Sequence, residues 1–403
     1  MSPAERRAGV SLAVIFALRM LGLFLILPVF REHARTIPGG DDVTYVGLAM
    51  GAYGLTQAFL QIIFGMASDR YGRKPVILFG LALFVVGSAV AALATDIYTV
   101  IIGRVLQGSG AISAAVTALA ADLTRDQHRT KVMAMIGSSI GLVFALSMVA
   151  APLLYNVIGM SGIFWLTAVL ALGAMALTAW VVPATTPPLR GTPPGRGIYG
   201  GSVVRHVLRH GALMRLNFGV FSLHLIQMMM WVTLPAALVA HGGLPVTEHW
   251  KIYLPVVLLS FTVMVPAIII AERGGRFKLI YTSAVALLAL VQLGLYTSAG
   301  NVWFTALWLT LFFIAFNILE AMQPSLISRI VSPGIKGAAL GVYNTLQSIG
   351  LFLGGTVGGW IVQRFGETAV GWCCGALALA WLALSVAHPL SLPPKAEPDH
   401  CRT

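Results

Sequence analysis

The chain has 403 residues, of which 58% are hydrophobic and only 10% charged. Soluble domains carry about 25% charged residues, so too few charges remain here to coat a soluble surface. The net charge of +12 would suit nucleic-acid binding in a soluble protein, but the basic residues fall in short breaks between apolar runs, so membrane orientation accounts for them and no nucleic-acid partner is implied.

The N-terminal stretch Met1–Arg7 leads into an apolar run without a small-residue cleavage site, so the first span reads as retained. Apolar runs then fall at 9–30, 43–68, 76–94, 98–120, 131–155, 161–183, 215–240, 249–271, 277–297, 302–328, 338–362 and 368–388. A crossing helix needs about 20 apolar residues. Lipid cannot satisfy loose backbone groups, and runs of this length lack the short alternation of barrel strands. The expectation is an all-α polytopic membrane protein with twelve transmembrane helices. The longest polar break, 184–214, is rich in Pro and Gly and divides the chain into six-helix halves at 1–183 and 215–390, leaving 391–403 as a tail. Cys373 and Cys374 are adjacent in the last run and Cys401 lies in the tail, so nothing pairs plausibly as a disulfide.

An even number of spans puts both termini on one side. The segments on that side hold 20 of the 26 Lys and Arg residues, while the opposite loops keep Arg31, Arg35, Lys251 and Arg364. Both termini, the linker and the tail are therefore expected in the cytoplasm. The halves echo each other. Asp69-Arg70-Tyr71-Gly72-Arg73 recurs as Glu272-Arg273-Gly274-Gly275-Arg276, and Lys131 with Gly137 recurs as Lys336 with Gly341. The offsets agree to within two residues, which points to a parallel duplication of the kind found in two-half transporters.

The strongest local signal is Gly65-Met-Ala-Ser-Asp69-Arg70-Tyr-Gly72-Arg73-Lys74-Pro75, between the second and third runs. Gly65 permits close helix approach and Gly72 a tight turn, while Asp69 is placed to accept backbone N–H bonds at the start of span three and to pair with Arg73. This loop resembles the signature loop of the major facilitator superfamily, and Arg104-Val-Leu-Gln107-Gly108-Ser-Gly110 resembles the second motif of its drug:proton antiporters. Leu18-Arg19-Met20-Leu21-Gly22, Leu119-Ala-Ala-Asp122-Leu-Thr-Arg125, Glu248-His249-Trp250-Lys251 and Asn317-Ile-Leu-Glu320-Ala321 resemble the YajR-type transporters of that group, whose C-terminal soluble domain this chain is expected to lack. The resemblance implies two six-helix halves, a bacterial inner-membrane location, and a conformational lock formed by the loop residues Gly65, Asp69, Arg70, Gly72 and Arg73 with Asp122 when the carrier is open outward. The fifth-span antiporter motif is incomplete: Gly137 and Gly141 are present, but Ala151-Pro152 lacks its glycine pair. Arg19 stands where drug antiporters often carry an acid.

An ionisable group inside the membrane costs a few kcal/mol and is a functional candidate by default. Glu320 is the one carboxylate well inside a span, which makes it the leading proton carrier. His224 is a candidate relay, or a packed polar histidine. Arg104 and Arg19 either serve coupling or an anionic substrate group, or hold helices; for Arg104 the structural alternative is a set of bonds to carbonyls of span one. A pathway lined by spans one, four, seven and ten would offer Arg19, Gln107, Gln227, Trp231, Asn317 and Gln323, with Met228-Met229-Met230 as an adaptable wall. The resulting expectation is a monomeric, proton-coupled efflux antiporter of small amphipathic molecules, with proton-coupled uptake of a metabolite or nutrient as the alternative. The spans hold no His-x-x-x-His or His-Glu-x-x-His pattern, so no enzyme, metal or cofactor is expected.

Overall fold

A computed structural model describes residues 1–183, 205, 207–240, 242–297, 301–331 and 336–388. The tail at 391–403 and most of the linker, 184–204, lie outside them. The described residues form helices and turns, with no strand among them. In chain order the helices are α1 Pro3–Phe24, α2 Phe30–Ala34, α3 Val43–Tyr71, α4 Arg73–Ala92, α5 Ile97–Ser109, α6 Ser113–Asp122, α7 Asp126–Ala176, α8 Gly211–Ala240, α9 Trp250–Arg273, α10 Phe277–Thr297, α11 Val302–Ile330, α12 Lys336–Phe365 and α13 Glu367–Ala387.

Local chemistry sets the ends. Ser2 and Glu5 exchange side-chain and backbone hydrogen bonds and Pro3 follows the cap, so α1 begins six residues before the expected apolar run. Asp42, Asp96 and Asn301 cap α3, α5 and α11 by accepting backbone N–H bonds. Gly72 turns the chain between α3 and α4 at φ +95°, a conformation that L side chains rarely adopt.

Three spans differ from expectation. The fourth is broken at 110–112, where α5 ends and α6 begins. The fifth and sixth run into one 51-residue helix with no loop; Gly159, at φ +65°, breaks the helical path inside it, and a π turn, Leu177–Val181, follows. Eleven helical stretches are long and apolar enough to cross a membrane, and counting this one on each side of Gly159 gives the expected twelve. Large apolar residues such as Trp180, Val157 and Trp303 lie more than three-quarters exposed, as lipid-facing surface requires.

Helices α1–α7 form one half and α8–α13 the other. They meet chiefly along α3 and α12, where glycines let the backbones touch. Gly47 faces the carbonyl of Gly355, Gly359 faces that of Val43, and a methyl group on Gly51 would lie 2.7 Å from the Phe352 carbonyl. The other side of the α12 glycine row, Gly350, Gly354 and Gly358, packs against Phe221, Leu225 and Met229 of α8. Apolar contacts between the halves gather at the end that carries the 25–42 and 242–249 loops. Phe144 sits 5.1 Å from Phe24 in its own half and 5.8 Å and 5.9 Å from Phe313 and Phe316 in the other. Toward the 69–74 loop the first half instead closes a separate core around Leu12, Ile77, Val116 and Leu119.

Candidate functional site

The site is built where α8, α11 and α12 converge. His224 of α8 is 4% exposed, and its Nδ1 lies 3.0 Å from the Val220 carbonyl one turn earlier. A carbonyl only accepts, so Nδ1 carries the proton and Nε2 of the neutral ring is an acceptor. That acceptor meets Gln347 of α12, whose Nε2 is 2.7 Å away and also donates to Glu320 Oε1 at 3.4 Å. Glu320 Oε2 lies 3.5 Å from His224 Nε2, is shielded from solvent and has no hydrogen-bond partner among the described residues. The Glu320 side chain as a whole is 36% exposed, so one face of the carboxylate reaches open space while the other faces the imidazole. Phe316 packs edge-on against the ring at 5.8 Å. The arrangement holds a carboxylate and an imidazole on a shared donor, with room for one proton to pass between them.

Gln347 was missed from sequence, although an amide within a glycine-rich span was a signal that could have found it. The other pathway residues do not form one lining here. Trp231 is fully buried against Tyr253 and Phe313, Asn317 donates to Ser260 Oγ at 3.0 Å, and Gln323 accepts from Tyr343 Oη at 3.3 Å. Gln227 is 4% exposed, and Met228–Met230 are buried.

The intramembrane arginines sit apart from this cluster, inside the first half. Arg104 is 1% exposed; it donates to Gln107 Oε1 at 2.8 Å and to the carbonyls of Ala49 and Met50. Those carbonyls belong to α3, the second span, which corrects the expectation of span one. Gln107 in turn donates to Ser88 Oγ at 2.8 Å. Arg19 is fully buried and donates to Ser113 Oγ at 3.2 Å and Gln57 Oε1 at 3.3 Å. Both guanidiniums stand over the ring of Tyr53, at 5.6 Å for Arg19 and 5.1 Å for Arg104. No aligned carboxylate accompanies them among the described ion pairs.

The loop after α3 brings its charges together. Arg73 pairs with Asp69, donates from Nε to Asp122 Oδ2 at 3.0 Å, and bonds Ser68 Oγ at 2.7 Å, which itself donates to the Gly65 carbonyl. Asp69 does not cap α4: Gly72 holds that position and no side chain caps it, because Asp69 is turned to Arg73. Arg70 stacks beside Tyr71 at 5.4 Å. A further pair came without warning from sequence: Arg125 reaches both carboxylate oxygens of Glu5, at 2.8 and 3.0 Å, and this bond raises the guanidinium above its ordinary value.

The Major Facilitator Superfamily model matches residues 12–355. The chain belongs to the major facilitator superfamily. It is 44% identical to the inner membrane transport protein YajR of Escherichia coli over 98% of this chain and 85% of that protein. It is 25% identical to the multidrug resistance protein MdtH of Yersinia enterocolitica over 85% of this chain and 83% of that one. Among solved structures, the Escherichia coli xylose transporter XylE superposes with a TM-score of 0.75 at 13% identity, covering 96% of this chain and 98% of that one. The superfamily member is thus a multi-pass membrane transporter for small molecules and not an enzyme.

Proposed function

We propose that this transporter is proton-coupled and works as an efflux antiporter of small amphipathic molecules in a bacterial inner membrane, with both termini cytoplasmic. The observation that carries the coupling is the Glu320–His224–Gln347 cluster, the one described place where a carboxylate and an imidazole meet inside the spans. With Nδ1 committed to Val220, a proton reaching His224 binds at Nε2 and then donates to Glu320 Oε2, while Gln347 turns its amide oxygen toward the new N–H. The pair changes net charge at a junction of three helices, and moving a charge into or out of a low-dielectric site is what ties protonation to helix arrangement. The relation to MdtH, a multidrug resistance protein by name, supports efflux.

The test is substrate-dependent proton flux in sealed vesicles under an imposed pH gradient, read against a panel of amphipathic compounds. Antiport predicts proton entry as substrate leaves. Glu320→Gln, which keeps shape but cannot ionise, is expected to abolish that flux while folding remains intact. Coupling at the wild-type level in this variant would remove Glu320 from the proton role.

A further inference from the structure

A groove at one end of the second half has no part in this coupling. It is a shallow, partly open depression of about 20 Å³, and its polar lining is Arg215 of α8, Lys278, Tyr281 and Thr282 of α10, and Ser385 and His388 at the end of α13. Arg215 and Lys278 stand near the starts of their helices, so two helix N-termini add partial positive charge to two full ones. Arg215 Nε is shielded from solvent without a hydrogen-bond partner. Among the described residues neither Arg215 nor Lys278 has a carboxylate counter-ion, and residues 184–214, leading into α8, contain no Asp or Glu. The Tyr281 hydroxyl accepts from Trp381 Nε1 at 3.3 Å, which leaves its own proton to donate.

The frame around these groups is apolar. Leu384 lines the groove at 40% exposure, and Leu279 and Val386, the sequence neighbours of Lys278 and Ser385, are 58% and 60% exposed. Unpaired cations and hydroxyl donors at the ends of spanning helices, continuous with a lipid-facing apolar wall, match the two parts of an anionic phospholipid: a phosphate to bond and acyl chains to pack. We propose that this groove binds the phosphate headgroup of an anionic phospholipid. Arg215 and Lys278 neutralise the phosphate, and Leu279, Leu384 and Val386 contact the chains. A free phosphate would satisfy the same cations but gain nothing from the wall.

The full chain, purified and delipidated in detergent, would be titrated with phosphatidylglycerol and with phosphatidylcholine of the same acyl chains, reading bound lipid by native mass spectrometry. The wild type is expected to retain phosphatidylglycerol preferentially. Arg215→Gln with Lys278→Gln should weaken that binding about thirtyfold, the factor implied by losing two basic contacts of ~1 kcal/mol each. The charge-conserving pair Arg215→Lys with Lys278→Arg should keep it, which separates charge from folding. Equal retention of the two lipids, equal binding by the Gln pair, or displacement of the lipid by inorganic phosphate would each overturn the assignment.

Discussion

Gln347 is the residue on which the geometry of the proposed coupling pair turns. Its amide fixes His224 Nε2 as an acceptor and holds Glu320 Oε1 in place. Replacing it by Leu removes a donor shared by two ionisable groups, an interaction worth about 1.5–3 kcal/mol, so coupled transport should slow by about tenfold or more. A Gln347→Leu variant with undiminished proton flux would show that the cluster does not act through this amide. Glu320 and His224 were legible in the sequence because charge and imidazole inside an apolar run cost too much to be incidental. Their partner was not, since a neutral amide in a span carries a small penalty and three-dimensional proximity across α8, α11 and α12 has no linear signature. The same holds for Arg19, Arg104 and Tyr53: each is visible alone, but that one ring serves two guanidiniums emerges only when α1, α3 and α5 pack.

At the scale of elements, hydropathy marked every span, and the departures occur where backbone geometry decides. The break at 110–112 lies inside apolar sequence, so hydrophobicity alone gives no boundary there, whereas the turn at Gly159 falls in the gap between the runs 131–155 and 161–183. The structure divides the glycines of α12 between two neighbours, with Gly355 and Gly359 on α3 and Gly350, Gly354 and Gly358 on α8. That division separates a contact between halves from one within a half. Gly355→Val should therefore act on the closure of the halves: the added carbon meets the Gly47 carbonyl, and overpacking of about 1–3 kcal/mol would reduce the closed state by roughly tenfold. Gly350→Val, pressed against Phe221 of the same half, should lower thermal stability instead. Matching effects of the two variants on cross-linking between α3 and α12 would contradict this split.

At the scale of the whole molecule, the halves are joined at the end bearing the 25–42 loop, which is the periplasmic end if the basic loops face the cytoplasm. The Asp69–Arg73–Asp122 cluster lies at the other end and is intact in this arrangement, entirely within the first half. It therefore braces α3 and α4 against α6 with the far end closed, and the outward-opening role we propose for it would come from contacts made as the second half approaches. Asp69→Asn tests this. Both carboxylates are about two-fifths exposed, so the lost pairing is worth ~0.5–1 kcal/mol, a two- to fivefold change in population. In a chain with Ser at 373, 374 and 401, Val46→Cys places a thiol at a fully buried position beside Gly47 in the closed end. A membrane-impermeant maleimide added from the periplasm reaches that thiol only when this end opens, so Asp69→Asn should slow its labelling two- to fivefold. Identical labelling rates with and without the Asp69 charge would separate the loop from the exchange between states, and faster labelling would reverse its sign.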